Sequence, residues 1–364
     1  MRYRCITINP KNAKAFIYHS SHARFQNLIY VRKFILDCSS ESSTDSIALC
    51  LEAAATIQPH QIVCFHWKLH AGTPISCVQA SRIFLHQNLI RSLVLSPWPD
   101  NQPYPEGLTA LAHLEELELC IFSSRTHAPA NATAIRKLLS RELSHLRTLR
   151  IVRLEDRHCP RAITKTDWLD IFPTSLTQSK HEPELELKNL VLQHCNSKSS
   201  SAFPWEIING RKLHSLKLDK YIDISTDLDY FISMFPCLWA LTRLEISLWD
   251  NCMDAAPEQV NHIESFLSHD NLCSLQHLVL ELPGIQRLVR TESIARHKQL
   301  KTLTISATDS NGWLIVMSPD AVLGVVEACR CLHSLSCTLP EVQDIHFYVS
   351  HWLHSTQLEH GTAK

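Results

Sequence analysis

A short apolar motif recurs along this chain and constrains its fold more than any other feature. With Leu at about one position in seven, chance would place Leu-x-x-Leu-x-[Leu or Ile] about once or twice in 364 residues, but it occurs seven times. The seven motifs start at Leu114, Leu146, Leu187, Leu213, Leu241, Leu275 and Leu300. Successive starts lie 25 to 41 residues apart. This recurrence predicts stacked copies of one structural unit.

A relaxed form of the motif, with other apolar residues in place of Leu, extends the series in both directions. The additional starts are Tyr3, Val31, Ile62, Ile90 and Leu332. Each of them falls at the distance that the strict series predicts. The whole chain therefore divides into about 11 to 12 irregular units.

The fourth and sixth motif positions lie two residues apart, so both side chains point to the same side of a short strand. That side is predicted to be the core, and the residues between them are predicted to face outward. Eleven leucines are accordingly expected to be buried: Leu117, Leu119, Leu149, Leu190, Leu192, Leu216, Leu218, Leu244, Leu278, Leu280 and Leu303.

Apolar residues at helical spacing occur between the motifs. The predicted helices are 45–57, 77–87, 131–143, 257–268 and 318–330. The last has a start signal, with Ser318 as the N-cap and Pro319 at the first helical position. One strand and one helix per unit predict an α/β leucine-rich-repeat solenoid, a horseshoe with a parallel concave sheet and convex helices.

The units are degenerate, about 25–34 residues long where they are regular. Regular leucine-rich repeats place Asn or Cys at the ninth motif position, and among the seven strict units only Cys195, in "LKNLVLQHC", fits well. The longest spacing predicts an insertion at 153–183. We expect the solenoid to occupy residues 1–345 and a C-terminal cap and tail to occupy 346–364.

The composition indicates a folded protein with no electrostatic preference overall. The chain has 35 basic and 36 acidic residues, so its total charge does not favour nucleic acid or an anionic membrane. Neither a secretory signal nor an apolar run long enough to cross a bilayer is visible. We expect a cytoplasmic or nuclear protein with no nucleic-acid and no membrane partner.

The fourteen cysteines are not spaced as a disulfide framework. Cys195 and Cys337 fall at positions expected to be inward-facing on strands, and Cys50 and Cys329 fall on apolar helix faces. Reduced core thiols are the favoured interpretation. The one tight cluster, Cys329, Cys331 and Cys337 beside His333, lacks a second ligand pair, so no metal site is expected.

Catalytic motifs were not found, and we expect neither enzymatic activity nor a cofactor. The seven glycines form no P-loop and no G-x-G-x-x-G spacing, and the chain has no H-E-x-x-H or G-x-S-x-G motif. Most of the 22 histidines stand singly in turns or beside motif leucines, where a structural His is the usual case.

Outward motif positions predict two rows of side chains across the sheet, because adjacent strands lie about 4.8 Å apart. The second position gives Arg91, Glu115, Arg147, Lys188 and His214; the fifth gives Val94, Glu118, Arg150, Val191, Lys217 and Glu245.

One interpretation is that Glu115–Arg147, Glu118–Arg150 and Lys217–Glu245 are cross-strand pairs that keep the sheet solvated. The other is that the central stretch, from Leu114 to Leu241, docks a polar peptide or loop. Its binding residues would be Glu115, Glu118, Arg147, Arg150, Lys188, His214, Lys217 and Glu245.

The sequence also resembles a known group over roughly residues 25–340. The stretch "IQPHQIVCFHWKLHAGTPIS" at 57–76, followed by "LIRSLVLSP", is similar to the leucine-rich-repeat portion of fungal F-box proteins. The resemblance implies a protein-protein interaction module, a substrate-recognition subunit or adaptor of a ubiquitin ligase. No F-box is recognisable before the motif at Tyr3, so binding to the Skp1 adaptor is not expected. The alternative is a regulatory leucine-rich-repeat protein that acts on an enzyme, as a GTPase activator or an inhibitor.

Overall fold

The computed structural model describes most of the repeated units. The described residues are 4–20, 30–38, 43–69, 77–95, 105, 107, 108, 111–122, 145–154, 185–193, 208–221, 224, 228, 229, 238, 240–249 and 256–338.

One sheet of twelve parallel strands runs through these residues, and the strands lie side by side in the order of the sequence. The strands are β1 (Arg4–Ile8), β2 (Val31–Cys38), β3 (Cys64–Leu69), β4 (Ser92–Leu95), β5 (Glu116–Phe122), β6 (Thr148–Leu154), β7 (Asn189–Gln193), β8 (Ser215–Tyr221), β9 (Arg243–Leu248), β10 (His277–Leu282), β11 (Thr302–Ala307) and β12 (Ser334–Cys337). Each predicted motif start is thus followed by, or opens, one strand.

The motif also fixes the register of the sheet. In the ten units from Ile62 to Leu332 the strand begins at the third motif position. Fourth positions are paired across neighbouring strands, as in the series Leu149, Leu190, Leu216 and Leu244. All eleven leucines expected in the core are buried. Leucine at every second position therefore forms one continuous core layer, because it places apolar side chains on the same side of each strand.

Six α-helices have both ends within the described residues. They are α1 (Ala13–Ser20), α2 (Thr44–Ala55), α3 (Cys77–His86), α4 (Ala256–Leu267), α5 (Thr291–Ala295) and α6 (Pro319–Ala328). Four of the five predicted helices correspond to α2, α3, α4 and α6, whereas α1 and the short α5 were not predicted. Ser318 caps α6 as expected, because its hydroxyl accepts a hydrogen bond from the Ala321 N–H at 3.2 Å.

The helices lie on the side of the sheet to which the fourth and sixth motif positions point. The buried residues of α2, among them Ile47 and Leu51, belong to the same core as Phe34 and Leu36 of β2. The described helices follow parallel strands in sequential order, and the right-handed crossover rule places such helices on one side of the sheet. We call the opposite side, which carries the fifth motif position, the open face.

A recurring turn introduces the strands. The N–H of the first motif residue bonds the carbonyl three residues earlier at Ile90, Leu213, Leu241, Leu275, Leu300 and Leu332. The N–H of the second motif residue then bonds the carbonyl of the second residue one unit before, without interruption from Val63 to His333. These bonds satisfy the backbone polar groups at the start of each strand.

Buried glutamines complete two of the turns. The Gln87 side chain accepts hydrogen bonds from the N–H groups of Gln61 and Ile62, both at 3.0 Å, and donates one to the Gln58 carbonyl at 2.8 Å. The Gln61 side chain donates to the Val31 carbonyl at 3.1 Å. These glutamine side chains therefore join backbone groups of successive units.

Several sequence-based predictions lie outside the described residues. They are the helix at 131–143, Cys195, the 155–183 part of the insertion and the C-terminal cap and tail at 346–364. In the part of the chain that the structure describes, no helix has the length and apolar character needed to cross a membrane.

Candidate functional site

The predicted fifth-position row is present on the open face. Val94, Glu118, Arg150, Val191, Lys217 and Glu245 are successive partners across β4 to β9. All six side chains are half-buried. They are neighbours because the strands are in register, so the alternation of the motif alone places them in one line.

The predicted second-position row lies beside it, where the strands begin. Backbone hydrogen bonds of 2.8 Å join Glu115 to Arg91, Arg147 to Glu115, Lys188 to Arg147 and His214 to Lys188. The structure therefore brings together the eight residues predicted for the binding site, on β5 to β9 and the turns before them. Whether they bind a partner remains a prediction.

Two of the three predicted charge pairs are ion pairs in the structure. Arg150 lies 3.4 Å from Glu118, and Lys217 lies 3.0 Å from Glu245. The third prediction was wrong, because the Glu115 carboxylate contacts Arg91 at 3.2 Å and not Arg147. Each such pair on a solvated sheet contributes about 0.2 to 1 kcal/mol.

Arg150 connects three strands. Its guanidinium contacts Glu118 on β5 and donates a hydrogen bond of 2.7 Å to Gln193 Oε1 on β7. Its Nε is shielded from solvent. Arg150 therefore has a structural role in the sheet in addition to any contact with a partner.

Glu245 lies between two basic groups, Lys217 on the preceding strand and Arg243 on its own strand. Burial raises the pKa of this carboxyl, but hydrogen bonds and charge from Lys217 and Arg243 outweigh it and hold the pKa below its usual value. Glu245 is therefore ionised at neutral pH, and its charge is neutralised within the sheet.

Arg147, Lys188 and His214 differ from these paired residues. All three side chains are exposed, and none makes an ion pair with another residue that the structure describes. His214 Nδ1 lies 2.6 Å from the Lys212 carbonyl. These three are the members of the predicted site whose charge or hydrogen-bonding capacity is most available to a partner.

Basic side chains outnumber acidic ones where the strands begin, and this was not predicted from the sequence. In the units of β2 to β12, the described residues that lie within two positions of the first motif residue include eleven basic side chains and three acidic ones. The basic ones are Arg32, Lys33, Arg91, Arg147, Lys188, Arg211, Lys212, Arg243, Lys298, Lys301 and Arg330. The acidic ones are Glu115, Glu116 and Glu186. All strands of a parallel sheet begin at the same edge, so these residues form one edge, which we call the basic margin. The near-zero charge of the whole chain conceals it, and aligning the motif flanks would have found it.

His277 on β10 lies close to the basic margin, and its pKa is lowered. Its Nδ1 lies 2.8 Å from the Thr302 hydroxyl on β11. Burial, together with the charges of Arg243, Lys301 and His333, holds the pKa of His277 below its usual value.

The described cysteines are free thiols. Burial raises the pKa of Cys120, on the open face of β5, to about 12, and it also raises the pKa of Cys64, Cys329 and Cys337. A thiol with a raised pKa is protonated at neutral pH and is a poor nucleophile or metal ligand. Among the described residues there is no group of three His, Cys, Asp or Glu side chains that could hold a metal ion.

The comparisons with known proteins do not assign the chain to a family. No protein-family model matches it, and neither does any curated protein.

Proposed function

We propose that this chain is a leucine-rich-repeat solenoid that binds a protein partner on its open face. The repeat interpretation is supported by twelve motif copies that lead into twelve sequential parallel strands and by the turn that recurs before them. Sequential strands with the described helices on one side of the sheet are the arrangement by which solenoids present extended binding surfaces.

The observation that carries the proposal is the arrangement of charge on β5 to β9. Glu118, Arg150, Lys217 and Glu245 hold one another in place through ion pairs, whereas Arg147 and Lys188 stand exposed beside them. Fixed charges next to available ones offer a partner a surface with little side-chain ordering left to do, which reduces the entropic cost of binding.

The partner class that we propose is a polar peptide or loop, and the role is that of an adaptor or substrate-recognition subunit. This role rests on the resemblance to fungal F-box proteins at 57–76 and 89–97. The second candidate, a regulator of an enzyme, would use the same face, and no described contact favours it. We expect no catalytic activity.

A photo-crosslinking amino acid at Val191 tests the proposal. Val191 is half-buried in the centre of the open face, and Arg82 on α3 is an exposed control on the helical side. We expect a discrete set of covalent protein adducts in cells at position 191 that is absent at position 82. Equal adducts at both positions, or none at position 191, would refute an open-face partner.

Affinity capture with and without added Skp1 then separates the two roles. We expect no direct Skp1 binding by this chain alone. Direct and stoichiometric binding would show that the sequence carries an F-box equivalent that pattern analysis does not recognise. Capture of an enzyme whose rate the purified chain changes would instead favour the regulator.

A further inference from the structure

The last two described strands present a different chemistry from the centre of the open face. Thr302, Thr304 and Ser306 face outward on β11, and Ser334 and Ser336 face outward on β12. Each hydroxyl can donate one hydrogen bond. The Thr302 hydroxyl is already bonded to His277 Nδ1, so the other four form a row of neutral donors, where β5 to β9 carry carboxylates and guanidinium groups.

Basic side chains border this row where the strands begin. Lys301 and His333 occupy the second motif position on β11 and β12, and the His333 N–H bonds the Lys301 carbonyl at 3.0 Å. Lys298 and Arg330 lie two residues before the first motif leucine of the same units. All four side chains are exposed. We call Lys298, Lys301, Arg330 and His333 the C-terminal basic patch.

The described acidic groups around this patch make no ion pair with it. Asp270 lies 3.6 Å from Arg296, and Glu245 is held by Lys217 and Arg243. Glu281 is exposed on β10, but it is in register with Ser306, at the other end of the strands from Lys301 and His333. Lys298, Lys301 and Arg330 make no ion pair with any residue that the structure describes, including Glu327 on α6. The pKa of His277 is lowered first by burial and then by the charges of Arg243, Lys301 and His333.

We propose that the C-terminal basic patch, with the hydroxyl row beside it, binds an acidic protein segment rich in Asp and Glu. Carboxylates accept hydrogen bonds only, so a donor-rich surface with positive charge at its border is complementary to them. The site spans β10 to β12, about 10 Å at 4.8 Å per strand, which is enough for an extended segment of a few residues. It lies on strands other than the central face and does not depend on a partner there.

A protein segment fits this surface better than a nucleic acid. Sequence-tolerant binding of single strands uses aromatic side chains on which the bases stack. The outward positions that the structure describes on β10 to β12 carry hydroxyl, imidazole, carboxylate and one Val side chain, and no Phe, Tyr or Trp. A nucleic acid could place its phosphates near the basic side chains, but its bases would have no described aromatic side chain on which to stack.

The test uses the full chain and a labelled peptide of about eight Asp and Glu residues, with fluorescence anisotropy as the readout. The double variant Lys301→Gln with Arg330→Gln removes two exposed charges and no described ion pair. We expect its affinity for the peptide to fall about tenfold, since two exposed ionic contacts are lost, and binding to weaken with added salt. A peptide with Asn and Gln in place of the acids should not bind.

One matched variant tests whether the effect follows total charge. Lys14→Gln with Arg82→Gln makes the same charge change on α1 and α3, and it should bind the acidic peptide as the natural chain does. An equal loss in this control would overturn the proposal, because the effect would then follow total charge.

The last measurement uses a single-stranded oligonucleotide with the same charge as the peptide. Binding as tight as that of the peptide, and lost in the same variant, would overturn the assignment to a protein segment. Absence of peptide binding by the natural chain at low salt would also overturn it. Should the Lys301 and Arg330 variant not fold, Lys298→Gln with Lys301→Gln tests the same patch. The crosslinking result at Val191 is independent of each of these outcomes.

Discussion

The Glu264 carboxylate on α4 is held by the Arg287 guanidinium through both of its oxygens, with 2.8 Å between Arg287 Nη2 and Glu264 Oε2. Glu264 is 8% exposed and also accepts a hydrogen bond of 2.6 Å from the Arg290 N–H, at the start of α5. One side chain therefore joins α4 to the segment between β10 and α5 and helps to fix where α5 begins.

Replacement of Glu264 should destabilise this end of the protein. We expect Glu264→Gln to lower the free energy of unfolding by about 2 kcal/mol, because hydrogen bonds to a charged group are weakened and the Arg287 charge loses its partner. Urea denaturation followed by circular dichroism measures the change. Glu258→Gln, at an exposed position on the same helix, is the control and should have little effect.

The same carboxylate predicts a pH dependence. Burial opposes the charge, but bonds from Arg287 and Arg290 outweigh it, so the pKa of Glu264 lies below its usual value in the folded protein. Its contribution is therefore fully present above the unfolded pKa of about 4.3 and is lost as pH falls through the folded pKa. The difference in unfolding free energy between the natural chain and Glu264→Gln should shrink as pH is lowered from about 6 towards 3. A difference that grew on acidification would contradict this assignment.

Much of the fold could be predicted because the motif fixes where each strand lies in the sequence and which of its side chains point to the core. A residue such as Leu190 can be assigned to the core from its spacing alone, since a strand has a side-chain period of two. The sequence also predicts that Glu118 and Arg150 are neighbours, because equal motif positions become paired once the strands are in register.

Other features could not be predicted for physical reasons. Whether Glu115 pairs with Arg91 or Arg147 depends on rotamers of long side chains, which motif position does not specify. The short helix α5 has too few residues for a periodic pattern, and it depends on the distant Glu264 for one of its first backbone bonds. The basic margin combines residues that are far apart in the sequence, so neither composition nor any single motif indicates it.

Adjacent substitutions on β7 test the facing of the strands. Leu190→Asp places an unpaired charge in the core and should unfold the neighbouring units, a loss of more than about 4 kcal/mol. Val191→Asp changes the next residue, which faces the open side, and should leave the melting temperature within a few degrees of the natural chain. Equal tolerance of both would show that the strand register is incorrect.

The buried glutamine of the turn before β4 provides a second stability test. Gln87→Ala would leave the N–H groups of Gln61 and Ile62 without their described acceptor, so we expect a loss of about 2 to 4 kcal/mol from two unsatisfied buried donors. Gln58→Ala is the matched control, because Gln58 is exposed and contributes only its carbonyl to this turn. Differential scanning calorimetry of the two variants gives the comparison. A loss equal to that of the control would mean that water can replace the Gln87 side chain.

Single substitutions of two neighbouring arginines should separate stability from binding. Arg150 bridges Glu118 and Gln193, so Arg150→Ser should lower the free energy of unfolding by about 1 to 2 kcal/mol, since it removes one ion pair and one hydrogen bond to a charged group. Arg147 is exposed and unpaired among the described residues, so Arg147→Ser should change stability by less than about 0.5 kcal/mol. If the open face docks a partner, Arg147→Ser should nevertheless reduce the crosslinked adducts at Val191. Unchanged adducts in a fully stable Arg147→Ser variant would exclude Arg147 from the binding site.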